Sequence, residues 1–140
     1  RLQGREAAPQ AFASACIEAQ DTQSDFVQAL SRSLAASGVR LEGDPARAEA
    51  IVRVTRDEVK ERVLSVSARN IPREYELAYR VEFSVQKGGA ELLAPREVLL
   101  SRDFTFDETI LLAKEREQRL LEDALARDLA AIVMRQLAAL

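Results

Sequence analysis

Between Tyr75 and Gln86 the chain reads YELAYRVEFSVQ, in which apolar residues occupy every second position. The apolar set comprises Tyr75, Leu77, Tyr79, Val81, Phe83 and Val85. The positions between them are largely polar. Because successive side chains of a strand point to opposite faces, this stretch predicts a strand with one apolar face. Such alternation is typical of an antiparallel sheet that is covered on one side only.

Turn signals lie on both sides of this strand. Asn70-Ile71-Pro72 precedes it, and Gly88-Gly89 follows it with the residues of a tight hairpin. Upstream, Ile51–Thr55 and Val63–Val66 are strand-like. The polar stretch Glu58–Arg62 between them predicts a bend or bulge within one long strand.

The next strand runs into a helix where the chain reads RDFTFDETILLAKEREQ, from Arg102 to Gln118. Arg102 interrupts the apolar face of this strand, which is expected to hold Val98, Leu100, Phe104 and Phe106. Asp107 is a suitable N-cap, and Glu108 is favoured in the first turn by the helix dipole. An apolar stripe then follows at helical spacing and comprises Leu121, Leu125, Leu129, Ile132 and Val133.

The first part of the chain predicts a strand, a helix and a loop. Residues 11–19 are strand-like, and residues 21–25 form a polar turn. A helix follows, with Phe26, Val27, Leu30 and Leu34 at helical spacing. Gly38 fits the position just past the helix end, and Gly43-Asp44-Pro45 is a loop.

These elements predict the α+β class, as a two-layer sandwich in the order β-α-β-β-β-α. Two helices cover one face of a four-stranded, mostly antiparallel sheet. The other face stays polar, and is either solvated or enclosed in something wet. We expect a single domain over residues 1–140, with residues 1–10 as an extended N-terminal segment.

Composition excludes several classes of function. With 47% hydrophobic and 31% charged residues, the chain is neither disordered nor membrane-spanning. A net charge of -3 argues against a dedicated nucleic-acid binder. Without histidine, the usual general base and the commonest metal ligand are missing. We therefore expect no catalytic residues, no metal and no cofactor.

Lys114 is the first candidate binding residue. It lies near the azimuth of Leu121 and Leu125, about two turns before the apolar stripe begins. A helix that overhangs its sheet would present this cation to whatever lies beyond the sheet edge. The alternative is a solvated lysine in a pattern of helix charges.

Arg69 and Arg73 flank the turn before the tyrosine-bearing strand and form a second candidate. Two arginines at a hairpin tip can bind phosphate or carboxylate through paired hydrogen bonds, although charged hairpin tips are common. The acidic residues of the last helix are expected to be solvated surface: Glu115, Glu117, Glu122 and Asp123. Cys16 is expected to be a buried thiol on the first strand.

The order and spacing of these segments resemble the LptE family of lipopolysaccharide-assembly lipoproteins. Arg1-Leu2-Gln3-Gly4 is similar to the residues that closely follow the family's lipidated cysteine. Tyr75-Glu76-Leu77 resembles the start of its third strand, and residues 102–118 resemble its strand-to-helix junction. Ser37-Gly38-Val39 and Arg135-Gln136-Leu137 resemble its two helix ends. The likeness covers nearly the whole chain.

The resemblance implies a non-enzymatic lipoprotein on the periplasmic side of the Gram-negative outer membrane. Such a protein plugs the β-barrel LptD, supports folding of that barrel and binds lipopolysaccharide. The anchor would be a lipidated cysteine absent from this chain, and Cys16 is not its replacement. The alternative is a generic periplasmic adaptor that docks a protein partner through its sheet edge or long helix.

The resemblance also implies which residues bind lipopolysaccharide. Lys114 matches the family's lysine in an Ala-Lys-x-x-Glu-Gln segment without a gap. Arg69 matches the arginine that opens the turn, although this turn is about one residue shorter and holds Pro72. Arg73 is a weaker substitute for Arg69.

Overall fold

The computed structural model describes residues 8–105 and 111–140. The predicted positions of Phe106, Asp107 and Glu108, and residues 1–7 of the expected N-terminal segment, lie outside this range. The strands are β1 (Ser14–Ala19), β2 (Arg40–Leu41), β3 (Ala50–Val66), β4 (Pro72–Lys87) and β5 (Ala90–Thr105). The helices are α1 (Asp25–Ala36) and α2 (Leu111–Ala138), and a single 3-10 turn spans Pro45–Arg47.

The five strands form one sheet in the order β2-β1-β3-β4-β5. β1 is parallel to β2 and β3, whereas β3, β4 and β5 are successively antiparallel. The expected α+β layout is confirmed, but the sheet has five strands rather than four. The additional strand, β2, has two residues and follows the left-handed Gly38 (φ 98°). Two residues are too few to show an alternating pattern.

The apolar face of β4 forms the centre of the core. Its alternate residues from Tyr75 to Val85 are all buried, as the sequence predicts. α1 covers this face with Phe26, Val27, Leu30 and Leu34, all of which are buried. α2 contributes a stripe that includes Leu125, Leu129, Val133 and Leu137. The predicted arrangement of two helices on one sheet face is therefore confirmed.

A bulge in β3 changes which of its side chains face the helices. Val54 pairs with Phe83 and Arg56 pairs with Glu82, so Thr55 is one residue extra. An extra residue reverses the alternation beyond it. Val54 therefore faces the core, and beyond the bulge the odd-numbered Asp57, Val59, Glu61 and Val63 lie on the helix side. The predicted irregularity at Glu58–Arg62 is wrong in position, since pairing is regular there.

The reverse face of the sheet is polar and lined with ion pairs. Arg80 Nε lies 3.6 Å from Glu97 Oε2, and Arg56 Nη1 lies 3.9 Å from the same oxygen. A further ion pair lies closer to the β3–β4 turn, where Arg62 Nη2 is 3.1 Å from Glu76 Oε1. All of these side chains are at least partly open to solvent. The expected polar face is therefore present in the described structure.

Candidate functional site

Lys114 and the β3–β4 turn lie at the same end of the molecule. Thr105, the last residue of β5, pairs with Glu74 beside the turn, and α2 starts a few residues later. The turn itself is ordered by its backbone. Asn70 adopts a left-handed conformation (φ 67°), and the N–H of Ser67 donates to the carbonyl of Ile71 at 2.7 Å. The candidate residues thus lie on two neighbouring parts of the fold: Lys114 on α2, and Arg69 and Arg73 at the β3–β4 turn.

The ammonium group of Lys114 lies against the sheet and has two partners. Its Nζ is 3.1 Å from Glu61 Oε1 and 3.0 Å from Glu61 Oε2. The same atom lies 4.5 Å from the centroid of the Tyr75 ring, within cation–π range. Only 19% of the lysine side chain is exposed, against 29% of the Glu61 side chain. The core-facing azimuth of Lys114 is confirmed, but the side chain packs over the sheet instead of projecting beyond it.

The Tyr75 ring, which the ammonium group of Lys114 contacts, is held in place by aromatic stacking. The Tyr75 and Phe104 rings stack with centroids 5.3 Å apart and planes 18° apart. The two residues are direct neighbours across β4 and β5. Sequence reasoning correctly assigned both rings to the apolar face, but it missed the contact of Tyr75 with a cation. A lysine and an aromatic residue so far apart in sequence give no local signal of that contact.

Glu61 is a site residue that sequence reasoning did not identify. It pairs with Leu77 in the β3–β4 ladder and therefore lies on the helix side of the sheet. It faces that side only because the bulge at Thr55 reverses the alternation of β3. The available signal was the polar stretch that contains it, but that stretch does not reveal which face Glu61 occupies.

Arg69 and Arg73 occupy different positions around the turn. Arg69 lies in the turn and is exposed, and its backbone N–H donates to Ser67 Oγ at 3.2 Å. Arg73 lies on β4 and is also exposed. Pro72 is three residues from Tyr75, so the turn begins about 10 Å along the strand from the Tyr75 ring. Arg69 and Lys114 therefore lie at the same end of the molecule but do not share one site: Arg69 is in the turn, and Lys114 is over the Tyr75 ring.

The same end carries exposed apolar side chains. Val63 and Val66 are 47% and 50% exposed, and Leu64 between them is also exposed. They lie on β3 beside the turn that holds Arg69. This end of the hairpin thus combines apolar surface with cationic side chains, which suits an amphiphile that has an anionic head.

A second polar cluster lies under the N-terminus of α1. The hydroxyl group of Tyr79 donates to Asp57 Oδ1 at 2.9 Å and accepts from the N–H of Phe26 at 3.1 Å. Ser24 Oγ donates to the other oxygen of Asp57. Burial and the neighbouring Asp57 carboxylate raise the pKa of Tyr79. Each of these polar groups has a hydrogen-bond partner within the protein. The cluster therefore has a structural role, which is to join the start of α1 to the sheet.

The described residues contain no cluster of side chains that could ligate a metal ion. They include no group of three or more Cys, Asp and Glu side chains placed to hold a metal ion. Cys16 is a buried free thiol on β1, as predicted, and burial raises its pKa. No helix in residues 8–105 and 111–140 is long and apolar enough to cross a membrane.

A shallow groove lies at the opposite end of the molecule. Its volume is about 380 Å³, and it runs between the C-terminal part of α2 and the start of β5. Arg96 and Arg135 lie among its apolar residues, and Arg96 Nη1 contacts Gln136 Oε1 at 3.4 Å. The groove is separate from the cluster around Lys114.

Comparison with known proteins gives a family match and several similar folds. The family LptE, described as lipopolysaccharide-assembly, matches residues 11–137. No curated protein matches the chain. A lipoprotein B from Nitrosomonas europaea is similar in structure, with a TM-score of 0.79 and 27% identity over 99% of this chain and 90% of that one.

Two crystal structures of lipoproteins are also similar. The rare lipoprotein B from Shewanella oneidensis has a TM-score of 0.77 and 25% identity, over 90% of this chain and 94% of that one. The minor lipoprotein from Acinetobacter baumannii has a TM-score of 0.76 over 94% of both chains, and its 22% identity supports a shared fold alone.

Proposed function

The chain belongs to the LptE family of lipopolysaccharide-assembly proteins, and from this premise we propose that it plugs the LptD β-barrel and binds lipopolysaccharide. Membership supports a role in lipopolysaccharide assembly, and it confirms the resemblance drawn from the sequence. The observation that carries the proposal is the match over residues 11–137, which includes Lys114 and the β3–β4 turn.

The polar sheet face supports the plug assignment. The lumen of a wide outer-membrane barrel is polar and wet. A sheet face lined with partly exposed ion pairs, such as Arg80–Glu97 and Arg62–Glu76, is compatible with that wall. Charged side chains at such a contact need not be fully desolvated, so the cost of burying them stays small.

Arg69 and Lys114 are the proposed lipopolysaccharide-binding residues, with Arg73 as a weaker third. Lipid A carries phosphates, for which arginine and lysine offer charge-assisted hydrogen bonds. The exposed Val63, Leu64 and Val66 would accommodate part of its apolar portion. In this proposal the protein acts without catalysis and without a cofactor, held on the periplasmic side of the outer membrane by an N-terminal lipid.

Charge reversal tests the binding site. The variant Arg69→Asp/Lys114→Asp is expected to bind purified lipopolysaccharide more weakly than wild type while its thermal unfolding stays cooperative. The matched control is Arg32→Asp/Lys60→Asp, which makes the same change in net charge on α1 and on the reverse sheet face. Equal affinity of the two double variants would refute the assignment of these residues.

Co-expression tests the choice of partner. A plug requires a stable complex with LptD, so the two proteins are expected to co-purify after extraction in detergent. A generic periplasmic adaptor has no need of that barrel. Failure to co-purify, with both proteins folded, would favour the adaptor.

A further inference from the structure

We propose that Glu61 is a built-in competitor for Lys114 and thereby sets the affinity for the anionic head group of the lipid. The inference rests on the proposed function, since it assumes that Lys114 binds a phosphate. It adds a residue, on a different element, that limits this binding. An incoming phosphate would reach Lys114 by displacing the Glu61 carboxylate.

The geometry leaves little of Lys114 for a ligand while Glu61 is in place. Both carboxylate oxygens of Glu61 lie within 3.1 Å of Nζ, and the Tyr75 ring covers another side of the ammonium group. A lysine has three N–H donors in total. With only 19% of its side chain exposed, Lys114 presents a small open surface.

The charge of Glu61 acts against an anionic ligand in a second way. A phosphate that bonded to Nζ without displacing Glu61 would lie beside a carboxylate, and like charges at such distances repel. Displacement of the Glu61 carboxylate removes this repulsion. The only interaction lost is the ion pair with Lys114, which contributes little because 29% of the Glu61 side chain is already exposed to solvent.

Tyr75 allows the exchange to occur without loss of the lysine position. Its ring stacks on the Phe104 ring, and the two residues are paired between β4 and β5. The position of the ring therefore does not depend on Glu61. The cation–π contact therefore holds Nζ near the same point when its anionic partner changes. Glu61 and a phosphate are thus alternative partners of a cation in one fixed position.

The experiment measures binding of purified lipopolysaccharide to Glu61→Gln, which keeps the side-chain shape and removes the charge. We expect affinity to rise about fivefold, which is the upper end for release of a surface ion pair. Glu74→Gln is the matched control, since it removes one negative charge from the same hairpin at an exposed position. Affinity should change less in Glu74→Gln than in Glu61→Gln.

The same measurements in a Lys114→Met background separate the two proposals. The gain from Glu61→Gln should disappear without the lysine. The competitor role is overturned if Glu61→Gln and Glu74→Gln have equal effects, or if the gain persists in Lys114→Met. The proposed binding role of Lys114 fails if Lys114→Met alone binds as tightly as wild type. If Lys114→Met weakens binding while Glu61→Gln and Glu74→Gln act alike, only the competitor role is overturned.

Discussion

Tyr79 connects three elements through one hydroxyl group. It lies on β4, donates to Asp57 on β3 and accepts from the N–H of Phe26 in the first turn of α1. That N–H is one of the donors that the start of a helix leaves without an intrahelical partner. The sequence pattern assigned Tyr79 to the core stripe, which is correct for its ring. It gave no sign of the hydroxyl partners, because they come from distant segments.

Removal of this hydroxyl should destabilise the fold. Tyr79→Phe leaves Asp57 Oδ1 and the Phe26 N–H without this partner, at a cost of about 1–3 kcal/mol in the free energy of unfolding. Urea unfolding of Tyr79→Phe, Asp57→Asn and the double variant measures the coupling. Costs that add fully would contradict a shared hydrogen bond.

Alkaline pH should destabilise the wild type through the same residue. The folded pKa of Tyr79 is raised, so the folded state keeps its proton where the unfolded state releases it. Stability is therefore complete below the ordinary tyrosine pKa of about 10 and falls as pH rises above it. Chemical denaturation between pH 9 and about 11.5 should show a steeper loss for wild type than for Tyr79→Phe. Parallel curves would rule out this linkage.

Helical spacing alone predicts the direction of Lys114 but not its partners. A period of 3.6 residues places it above the core stripe of α2, and the structure agrees. The partner Glu61 depends on an inserted residue in another strand, and periodicity in one element carries no information about that. The candidate site was thus only partly predictable from local pattern.

At the scale of elements, both long strands were predictable as strands, but only the one with a clean alternation showed which of its residues face the core. β4 keeps one period from Tyr75 to Val85, so its buried face can be assigned by inspection. β3 changes its period at Thr55, where the side-chain hydroxyl contacts Glu82 Oε1 at 2.8 Å. The polar residues Arg56, Asp57 and Glu58, which directly follow the bulge, hide the change in the sequence.

Deletion of Thr55 tests the role of the bulge. Without it, Val54 and Arg56 become neighbours and β3 alternates regularly, so Asp57, Val59 and Glu61 keep both their face and their partners on β4. Asp57 then still faces Tyr79, so we expect the deletion variant to fold and to lose no more than about 3 kcal/mol in the free energy of unfolding. Thr55→Ala keeps the residue count and should cost about 1 kcal/mol or less. Failure of the deletion variant to show cooperative thermal unfolding would contradict this account.

The start of α1 depends on Ser24. Its side chain accepts from the N–H of Val27 at 3.0 Å as an N-cap and also bonds to Asp57. Ser24→Ala should cost about 0.5–2 kcal/mol, as measured for other N-caps. Ser24→Asp keeps a capping oxygen but adds a charge beside Asp57, so it should not restore full stability. Full recovery in urea unfolding would limit the role of Ser24 to capping.

At the scale of the whole molecule, the two sheet faces serve different purposes. One carries the core, and the other carries exposed ion pairs that contribute only about 0–1 kcal/mol each. Substitutions on the reverse face should therefore leave the fold intact, which makes that face available for a partner. The layered architecture followed from the alternation of β4 and the apolar stripes of the helices. The two-residue β2 did not, because it is too short to show a pattern.

The measurement that tests the plug most directly is the yield of LptD that co-purifies with variants of the two surfaces. Arg56→Glu/Arg80→Glu reverses two charges on the polar sheet face, and Arg32→Glu/Arg127→Glu makes the same change on exposed helix positions. We predict that the sheet-face variant, folded by thermal unfolding, recovers much less barrel than wild type, while the helix variant recovers as much. Equal recovery by the sheet-face variant and wild type would contradict the claim that this face meets the barrel wall.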